Sequence, residues 1–189
     1  MARNDALAAP DDTLRDFACA LGVGLDARTA PTLHDLLGRV LTDSRPYIDP
    51  AKDHYARPRP YLAQRGNICV EKSPALAKSG SYPSGHSTVS WAWGMILAEL
   101  APDRATQILA RARAYSESRV VCGVHYPSDI AAGRLNGSAL FATLQSSQAF
   151  RADMETARAE VAAARASAGP APDPQVCKGE ADAETHQPW

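Results

Sequence analysis

The sequence lacks two features that would each indicate a class of partner. Its longest apolar run, residues 89–101, is too short for a membrane-spanning helix and contains Glu99. Charge of one sign is not in excess either, since 20 Lys and Arg stand against 21 Asp and Glu, for a formal net charge of −1. A nucleic-acid-binding surface normally carries a basic excess. We therefore expect no membrane and no nucleic acid as partner.

Cysteine is scarce and none of it shows CxxC spacing, which argues against a zinc site and a thioredoxin-type redox site. An even number of scattered cysteines fits two disulfides formed in an oxidising compartment. Buried free thiols of a cytoplasmic protein fit the same count. The four residues concerned are Cys19, Cys69, Cys122 and Cys177.

The first residues have no basic region followed by an apolar stretch, so no signal peptide is recognisable. Such a start is expected of a cytoplasmic protein, or of a mature exported form in which a starting Met replaces the leader.

Internal repeats are absent and strand signals are scarce, whereas helical apolar patterns dominate. We predict an all-α fold, with one compact multi-helix domain over residues 1–168. The Pro-rich tail, residues 169–189, would be assigned as disordered but for Cys177, which could tie it to the domain. Residues 61–83 are expected to form an irregular loop with short helical turns. The segment VVCGVHYP, residues 120–127, is expected to be a connection that could include a short strand.

Three polar segments contain the residues that could carry chemistry: KDHYARPRP (52–60), YPSGHS (82–87) and ESRVVCGVHYPSD (117–129). Each has an ordinary explanation when taken alone. The basic residues could be surface cations, Ser84 could be only a helix N-cap, and His125 with Asp129 could be a structural pair.

Taken together, the three segments favour a site for a phosphoryl group. Ser84 and Gly85 precede a predicted helix, whose free N–H groups and dipole favour an anion. Cationic side chains suit phosphate oxygens, and two histidines remain for a nucleophile and a proton donor. The cations concerned are Lys52, Arg59 and Arg119, and the histidines are His86 and His125.

The motifs Lys-x6-Arg-Pro, Pro-Ser-Gly-His and Ser-Arg-x5-His-x3-Asp occur here in that order, beginning at Lys52, Pro83 and Ser118. This pattern resembles the type 2 phosphatidic-acid phosphatase superfamily, which also contains the vanadium haloperoxidases. Over residues 30–165 the chain is most similar to the class A bacterial non-specific acid phosphatases. It departs from them in lacking a Trp within HYPSD and in adding Pro58, and both changes could reshape the mouth of the pocket.

The resemblance implies an all-helical, metal-independent acid phosphatase of broad specificity that acts on small phosphate esters and needs no cofactor. His125 would attack phosphorus and form a phosphohistidine, with Asp129 orienting it. His86 would be the general acid and then the base. Phosphotransfer to alcohols could accompany hydrolysis. The phosphate would be bound by Lys52, Arg59, Ser84, Gly85 and Arg119.

The resemblance also bears on the cysteines and on the setting of the protein. If Arg59 and Arg119 hold one phosphate, the cysteines that follow them, Cys69 and Cys122, are expected to pair, and Cys19–Cys177 is expected as the second disulfide. A disulfide-braced acid phosphatase implies a periplasmic or secreted protein. Members of the family commonly form homo-oligomers, so a homo-oligomer is expected.

Two alternatives use the same residues. A vanadate-dependent haloperoxidase would bind vanadate through His125, although the short chain disfavours it. A non-catalytic phosphate or polyanion binder would use the cations but leave the two histidines unexplained. The physiological phosphate ester cannot be named from the sequence.

Overall fold

Helices account for the regular structure in residues 1–64, 66–167 and 170–185, the parts that the computed structural model describes, and no strand occurs there. The predicted all-α class is therefore confirmed. In chain order the helices are α1 (Pro10–Asp16), α2 (Ala18–Leu21), α3 (Pro31–Asp43), α4 (Arg45–Tyr55), α5 (Pro60–Ala63), α6 (Pro74–Lys78), α7 (Gly85–Leu100), α8 (Ala105–Val121), α9 (Pro127–Leu144), α10 (Gln148–Ala166) and α11 (Pro174–Thr185), with 3₁₀ turns at Asn4–Ala6 and Pro102–Arg104.

The central helix is α7, which packs along both α8 and α9. Buried side chains occur around most of its circumference, including Trp93, Ile96 and Leu97 at 0% exposure. A helix that is apolar on most sides is expected at the centre of a domain rather than at its surface. Its N-terminus, at Gly85, therefore begins in the interior of the molecule, beside the ends of its two neighbours.

Close approach between α7 and α9 depends on glycine. A Cβ added to Gly133 would lie 2.6 Å from the carbonyl oxygen of Ser84, and one added to Gly137 would lie 2.5 Å from that of Thr88. Because real Cβ atoms do not approach backbone that closely, the two helices could not pack at this distance with larger residues. The contact also brings the start of α9 beside the start of α7.

The helix pair α3 and α10 covers another side of the core. Apolar residues recur on α10 at helical spacing, and all are buried: Phe150, Met154, Ala157 and Val161. Glu160 of the same helix accepts hydrogen bonds from the backbone N–H groups of Thr32 (3.0 Å) and Leu33 (3.1 Å). A carboxylate from a distant segment thus satisfies the first turn of α3, which opens with Pro31.

Two elements differ from the predictions. Helix α8 continues to Val121, so Ser118 and Arg119 lie on a helix, and the segment 120–127 contains no strand. In the C-terminal tail, residues 174–185 form α11 rather than an irregular chain, while Gly169 and residues 186–189 of the tail, including His186, lie outside the described residues.

Both expected disulfides are present, Cys69–Cys122 and Cys19–Cys177. The first joins the segment after α5 to the end of α8, and the second attaches α11 to α2. Within the ranges given above, no helix is long and apolar enough to cross a membrane.

Candidate active site

The three polar segments meet at a cavity of about 350 Å³ at the N-terminal end of α7. Most of the predicted site residues line it, namely Lys52, Arg59, Gly85, His86, Arg119 and His125. Part of the remaining wall is apolar, formed by Ala8, Leu41, Ile48, Leu76 and Val89. Segments far apart in sequence therefore bring cations, histidines and an apolar surface to one cavity.

His125 and Asp129 form a hydrogen-bonded pair at the start of α9. The Nδ1 atom of His125 lies 3.3 Å from Oδ2 of Asp129, which also accepts the N–H of Tyr126 at 2.9 Å. Asp129 is the third residue of the helix, so its carboxylate reaches back to the preceding N–H as in a capping box. The cap of α9 thereby fixes the carboxylate, and the carboxylate fixes the imidazole.

The partners of His125 assign its tautomer. A carboxylate only accepts, so Nδ1 carries the hydrogen toward Asp129. On the other side of the ring, Nε2 lies 3.2 Å from Nη1 of Arg59, which is always a donor. The lone pair of His125 is therefore on Nε2, the ring nitrogen that lies beside Arg59.

The surroundings keep His125 uncharged. Burial lowers its pKa to about 4, opposed by the hydrogen bond to Asp129 and reinforced by the charge of Arg59. For Asp129, burial opposes ionisation, but hydrogen bonds from His125 and the N–H of Tyr126 lower its pKa overall. A neutral imidazole beside an ionised carboxylate is the arrangement that a nitrogen nucleophile requires.

Cations surround the Nε2 side of this histidine. Lys52, in the last turn of α4, donates to the carbonyl of Gly80 at 2.6 Å, and burial together with the charge of Arg59 lowers its pKa to about 8. Arg119 is 2% exposed, and burial lowers its pKa to about 10. Its Nε is buried and has no hydrogen-bond partner among the described residues. An unpartnered buried guanidinium atom at a cavity is suited to an anionic ligand.

Arg59 is held by the chain around it rather than by an acidic partner. Its Nε donates to the carbonyls of Leu76 and Ser79, both at 3.0 Å, and its Nη1 also donates to the carbonyl of Val124 at 3.2 Å. These bonds fix the guanidinium in position without neutralising it. Its charge therefore remains available to a ligand in the cavity.

The YPSGHS segment forms the floor of the site. Ser84 is the N-cap of α7, accepting from the N–H of Ser87 at 3.3 Å, and its own N–H donates to the carbonyl of Asp129 at 3.0 Å. Ser84 is fully buried and does not line the cavity, whereas Gly85 does. A cis peptide bond joins Tyr82 to Pro83 just before this turn. Ser84 therefore acts as a helix N-cap, and the residue of α7 that follows it, Gly85, lines the cavity.

His86 is half-buried and forms part of the cavity wall. Its Nε2 lies 3.1 Å from the carbonyl oxygen of Ala6, in the 3₁₀ turn at the N-terminus. Burial, followed by the positive charge of Arg119, lowers the pKa of His86 to about 3. This histidine is therefore neutral above that pH, and a bound anion would raise its pKa by acting against the positive charges.

Two contacts of the site were not predicted. Arg57, part of the first motif segment but without an assigned role, donates to Oδ1 of Asp129 at 2.6 Å and lies 4.0 Å from the ring centroid of Tyr126. Asp5 and Ala6 belong to an N-terminal region to which no role was given. The signal for Arg57 was its place between Lys52 and Arg59, while a lone acidic residue such as Asp5 carries no signal in the sequence.

Two further histidines, His34 and His54, and the core residue Trp93 do not line the cavity. His34 is on α3, near Asp11, and His54 is exposed and contacts the ring of Tyr55. Trp93 is buried in the core, where its Nε1 donates to the carbonyl of Leu37 at 3.1 Å. Within the described ranges, no group of three or more His, Cys, Asp or Glu side chains could hold a metal ion.

The chain is similar to known proteins over most of its length. The model of the PAP2 superfamily matches residues 36–152, which include all three motif segments. An acid phosphatase of Zymomonas mobilis is 44% identical over 171 residues, covering 90% of this chain and 64% of the relative. Non-specific acid phosphatases of Providencia stuartii and Salmonella typhimurium are 35% and 33% identical, each over 85% of this chain. The chain spans 66% and 65% of their respective lengths.

Proposed function

The chain belongs to the PAP2 superfamily, and we propose that it is an acid phosphatase that hydrolyses phosphate monoesters of broad specificity through a phosphohistidine on His125. The observation that carries the proposal is the tautomer of His125, whose Nε2 lone pair lies at a cavity that Lys52, Arg59 and Arg119 also line. The names of the relatives, acid phosphatase and non-specific acid phosphatase, support the substrate class.

Binding of the phosphoryl group is assigned to the cations of the cavity. Lys52, Arg59 and Arg119 would contact its non-bridging oxygens, with the backbone N–H of Gly85 at the start of α7 as a further donor. Because the cavity is partly apolar and the cations are buried, their attraction for a phosphate is screened less than at a surface. The same groups would stabilise the charge of the transition state, a task that metal ions perform in many other phosphatases.

In the first half-reaction, Nε2 of His125 forms a bond to phosphorus while the bond from phosphorus to the ester oxygen breaks. His86 gives a proton to that oxygen, which leaves as an alcohol. The positive charge that develops on His125 is stabilised through Nδ1 by Asp129. The products of this step are the free alcohol, a phosphohistidine and a neutral His86.

In the second half-reaction, His86 takes a proton from water as the water oxygen attacks phosphorus and the bond to Nε2 of His125 breaks. Inorganic phosphate leaves and both histidines return to their starting states. An alcohol that replaces water in this step receives the phosphoryl group, so phosphotransfer is part of the proposal.

We also propose a periplasmic or secreted location, supported by two disulfides, which form in oxidising compartments. Assembly into a homo-oligomer stays a prediction and can be measured by light scattering. The domain division at residue 168 likewise stays a prediction.

The test is a phosphate-release screen over aryl, nucleotide, sugar and pyrophosphate substrates, with wild type, His125→Ala and His34→Ala. His34 is the control because it is a half-buried histidine remote from the cavity. We expect His125→Ala to lose activity on every substrate and His34→Ala to keep it. Chelation of divalent cations should leave the wild-type rate unchanged. Acid-labile, alkali-stable phosphate on the quenched wild type would support the intermediate, and turnover by His125→Ala would overturn it.

A further inference from the structure

We propose that the N-terminal segment, residues 1–8, is a working part of this site, and that Asp5 is a positioning residue for His86. The inference rests on the proposed function, since it concerns the proton donor of that reaction. It goes beyond the matched family region, which begins at residue 36.

A buried carboxylate anchors the segment to α8. Asp5 is 0% exposed, its Oδ1 accepts from Nη2 of Arg111 at 2.6 Å, and its Oδ2 accepts from Oγ of Ser118 at 2.5 Å. Arg111 is itself only 1% exposed. The two opposite charges are both out of water, and Nε of Arg111 also lies 3.5 Å from Oε1 of Glu180, so Asp5 is held in a buried ionic cluster on α8.

This anchor presents successive backbone carbonyls of the segment to the site. The carbonyl of Asp5 accepts from Nη1 of Arg119 at 3.4 Å, and the carbonyl of Ala6 lies 3.1 Å from Nε2 of His86. The next carbonyl, of Leu7, accepts from the hydroxyl of Tyr115. Ala8 then lines the cavity itself. One short turn therefore contacts two proposed catalytic groups and the cavity.

The spacing of residues along α8 explains how the segment that Asp5 anchors also reaches Arg119. Four residues of α8 hydrogen-bond to the segment: Arg111, Tyr115, Ser118 and Arg119. The first three are four and three residues apart, and Arg119 is four residues after Tyr115, so all four lie on one side of the helix. Relative to the two residues that anchor Asp5, Arg119 directly follows Ser118 and lies two turns beyond Arg111.

The contact with Ala6 has a chemical consequence for His86. A carbonyl only accepts, so Nε2 keeps its hydrogen and the proton passed to a leaving group is the one on Nδ1. The carbonyl also stabilises the protonated ring, whose pKa is otherwise lowered by burial and by Arg119. Loss of the contact would leave less of His86 protonated and its ring less well oriented.

The effect should depend on the leaving group. An alkoxide needs a proton as it departs, whereas p-nitrophenolate departs without much help. The ratio kcat/KM includes only the first half-reaction, so it isolates this step from hydrolysis of the phosphohistidine. Comparing kcat/KM for an alkyl phosphate and p-nitrophenyl phosphate separates a proton-donor defect from a general loss of structure.

The experiment compares Asp5→Asn with Asp16→Asn, using His86→Ala as the reference for a lost proton donor. Asp16 is a matched control, since its carboxylate is 4% exposed and lies near Arg111 but contacts no site residue. We expect Asp5→Asn to lower kcat/KM about tenfold on the alkyl phosphate and about twofold on p-nitrophenyl phosphate. Asp16→Asn should not lower kcat/KM on the alkyl phosphate more than on p-nitrophenyl phosphate. His86→Ala should show a selective loss on the alkyl phosphate that is larger than that of Asp5→Asn.

Equal losses on the two substrates in Asp5→Asn would overturn the inference while leaving the proposed function intact. Should Asp5→Asn fail to fold, Tyr115→Phe decides, because it removes only the hydroxyl bond to Leu7 and keeps the ring. A selective loss of about threefold on the alkyl phosphate supports the positioning role, and kinetics equal to wild type overturn it. Activity in His125→Ala would instead sink the proposed function.

Discussion

Arg57 donates to Asp129 across 2.6 Å, on the carboxylate oxygen that His125 does not use. The motif segment that follows the end of α4 is thereby joined to the motif segment at the start of α9 through the carboxylate of Asp129, which is 0% exposed. The guanidinium also lies 4.0 Å from the ring centroid of Tyr126 and donates to Oγ of Ser128 at 2.7 Å. Arg57 thus holds the residue that orients the proposed nucleophile.

We expect Arg57→Met to lower kcat/KM about tenfold, because Asp129 loses a partner that fixes its rotamer. Arg57→Lys should recover only part of the loss, since an ammonium group supplies charge but neither the planar fork nor the stacking on Tyr126. Steady-state kinetics on p-nitrophenyl phosphate measure both, with the exposed and remote Arg28→Met as control. Wild-type kinetics in Arg57→Met would show that Asp129 orients His125 without a partner on its Oδ1 atom.

The pKa of His125 predicts the acid limit of activity. Its pKa is lowered to about 4 by burial, so the lone pair on Nε2 is lost only as the pH falls through that value. We expect kcat/KM to decline below about pH 4 and not near the usual histidine value of about 6.5. The C2 proton of His125, identified by its absence in His125→Gln, should titrate at the same place in the free enzyme. A titration close to the ordinary value would refute this account.

Lys52 predicts a limit on the basic side. Burial and the charge of Arg59 lower its pKa to about 8, so its positive charge disappears as the pH rises through that value. We expect kcat/KM on p-nitrophenyl phosphate, whose leaving group needs little help from the proton of His86, to decline there, and Lys52→Arg to move the decline upward, because a guanidinium stays protonated. The control is Lys78→Arg, an exposed lysine on α6, which should leave the decline in place. If the decline of kcat/KM at basic pH is unchanged in Lys52→Arg, the decline is due to another ionisable group.

The motifs of the site were readable in the sequence because each occupies a short local segment. Lys52 and Arg59 lie in one such segment, and His125 and Asp129 are one helical turn apart. Helix α7 was also predictable, since its apolar residues follow a Ser-Gly cap without interruption.

What could not be predicted depends on tertiary contacts. Asp5 becomes part of the site only because α8 presents Arg111 to it across the fold. The segment from residue 120 was expected to be a connection, but α8 continues to Val121, and its residues Ser118 and Arg119 have buried partners. In the tail, the disulfide of Cys177 with Cys19 was expected, but the helix α11 that it attaches to α2 was not.

The contact between α7 and α9 gives a stability prediction at Gly133. A methyl group there would lie 2.6 Å from the carbonyl oxygen of Ser84, the residue that caps α7. Helix propensity alone would favour alanine by about 1 kcal/mol. We nevertheless expect Gly133→Ala to lower the free energy of unfolding by about 2 kcal/mol, because the backbone must move. Since Ser84 precedes Gly85 and His86, activity should fall as well.

Chemical denaturation measures this change, and Gly66→Ala is the matched control because nothing lies within 4 Å of a Cβ built there. The control should stay within about 0.5 kcal/mol of wild type. Stabilisation in Gly133→Ala would mean that α9 can shift away from α7 at little cost.

The apolar part of the cavity predicts which esters are preferred. Beyond the cations, the wall of the 350 Å³ cavity includes Ile48, Leu76 and Val89, so an aryl or alkyl leaving group can bury its surface there. A polyol leaving group would lose hydrogen bonds to water on entering the same space. We expect kcat/KM to be higher for phenyl phosphate than for glycerol phosphate.

Leu76→Asn should lower this phenyl-to-glycerol ratio about fivefold, since the side chain of Leu76 lies at the cavity whereas its backbone carbonyl keeps the bond from Arg59. Leu62→Asn on α5 is the control, because Leu62 is 50% exposed and does not line the cavity. The ratio is used instead of either rate, so a loss of folded protein affects both substrates equally and cancels. A ratio that is the same in wild type, Leu76→Asn and Leu62→Asn would mean that the leaving group stays in solvent and that only the phosphoryl group is recognised.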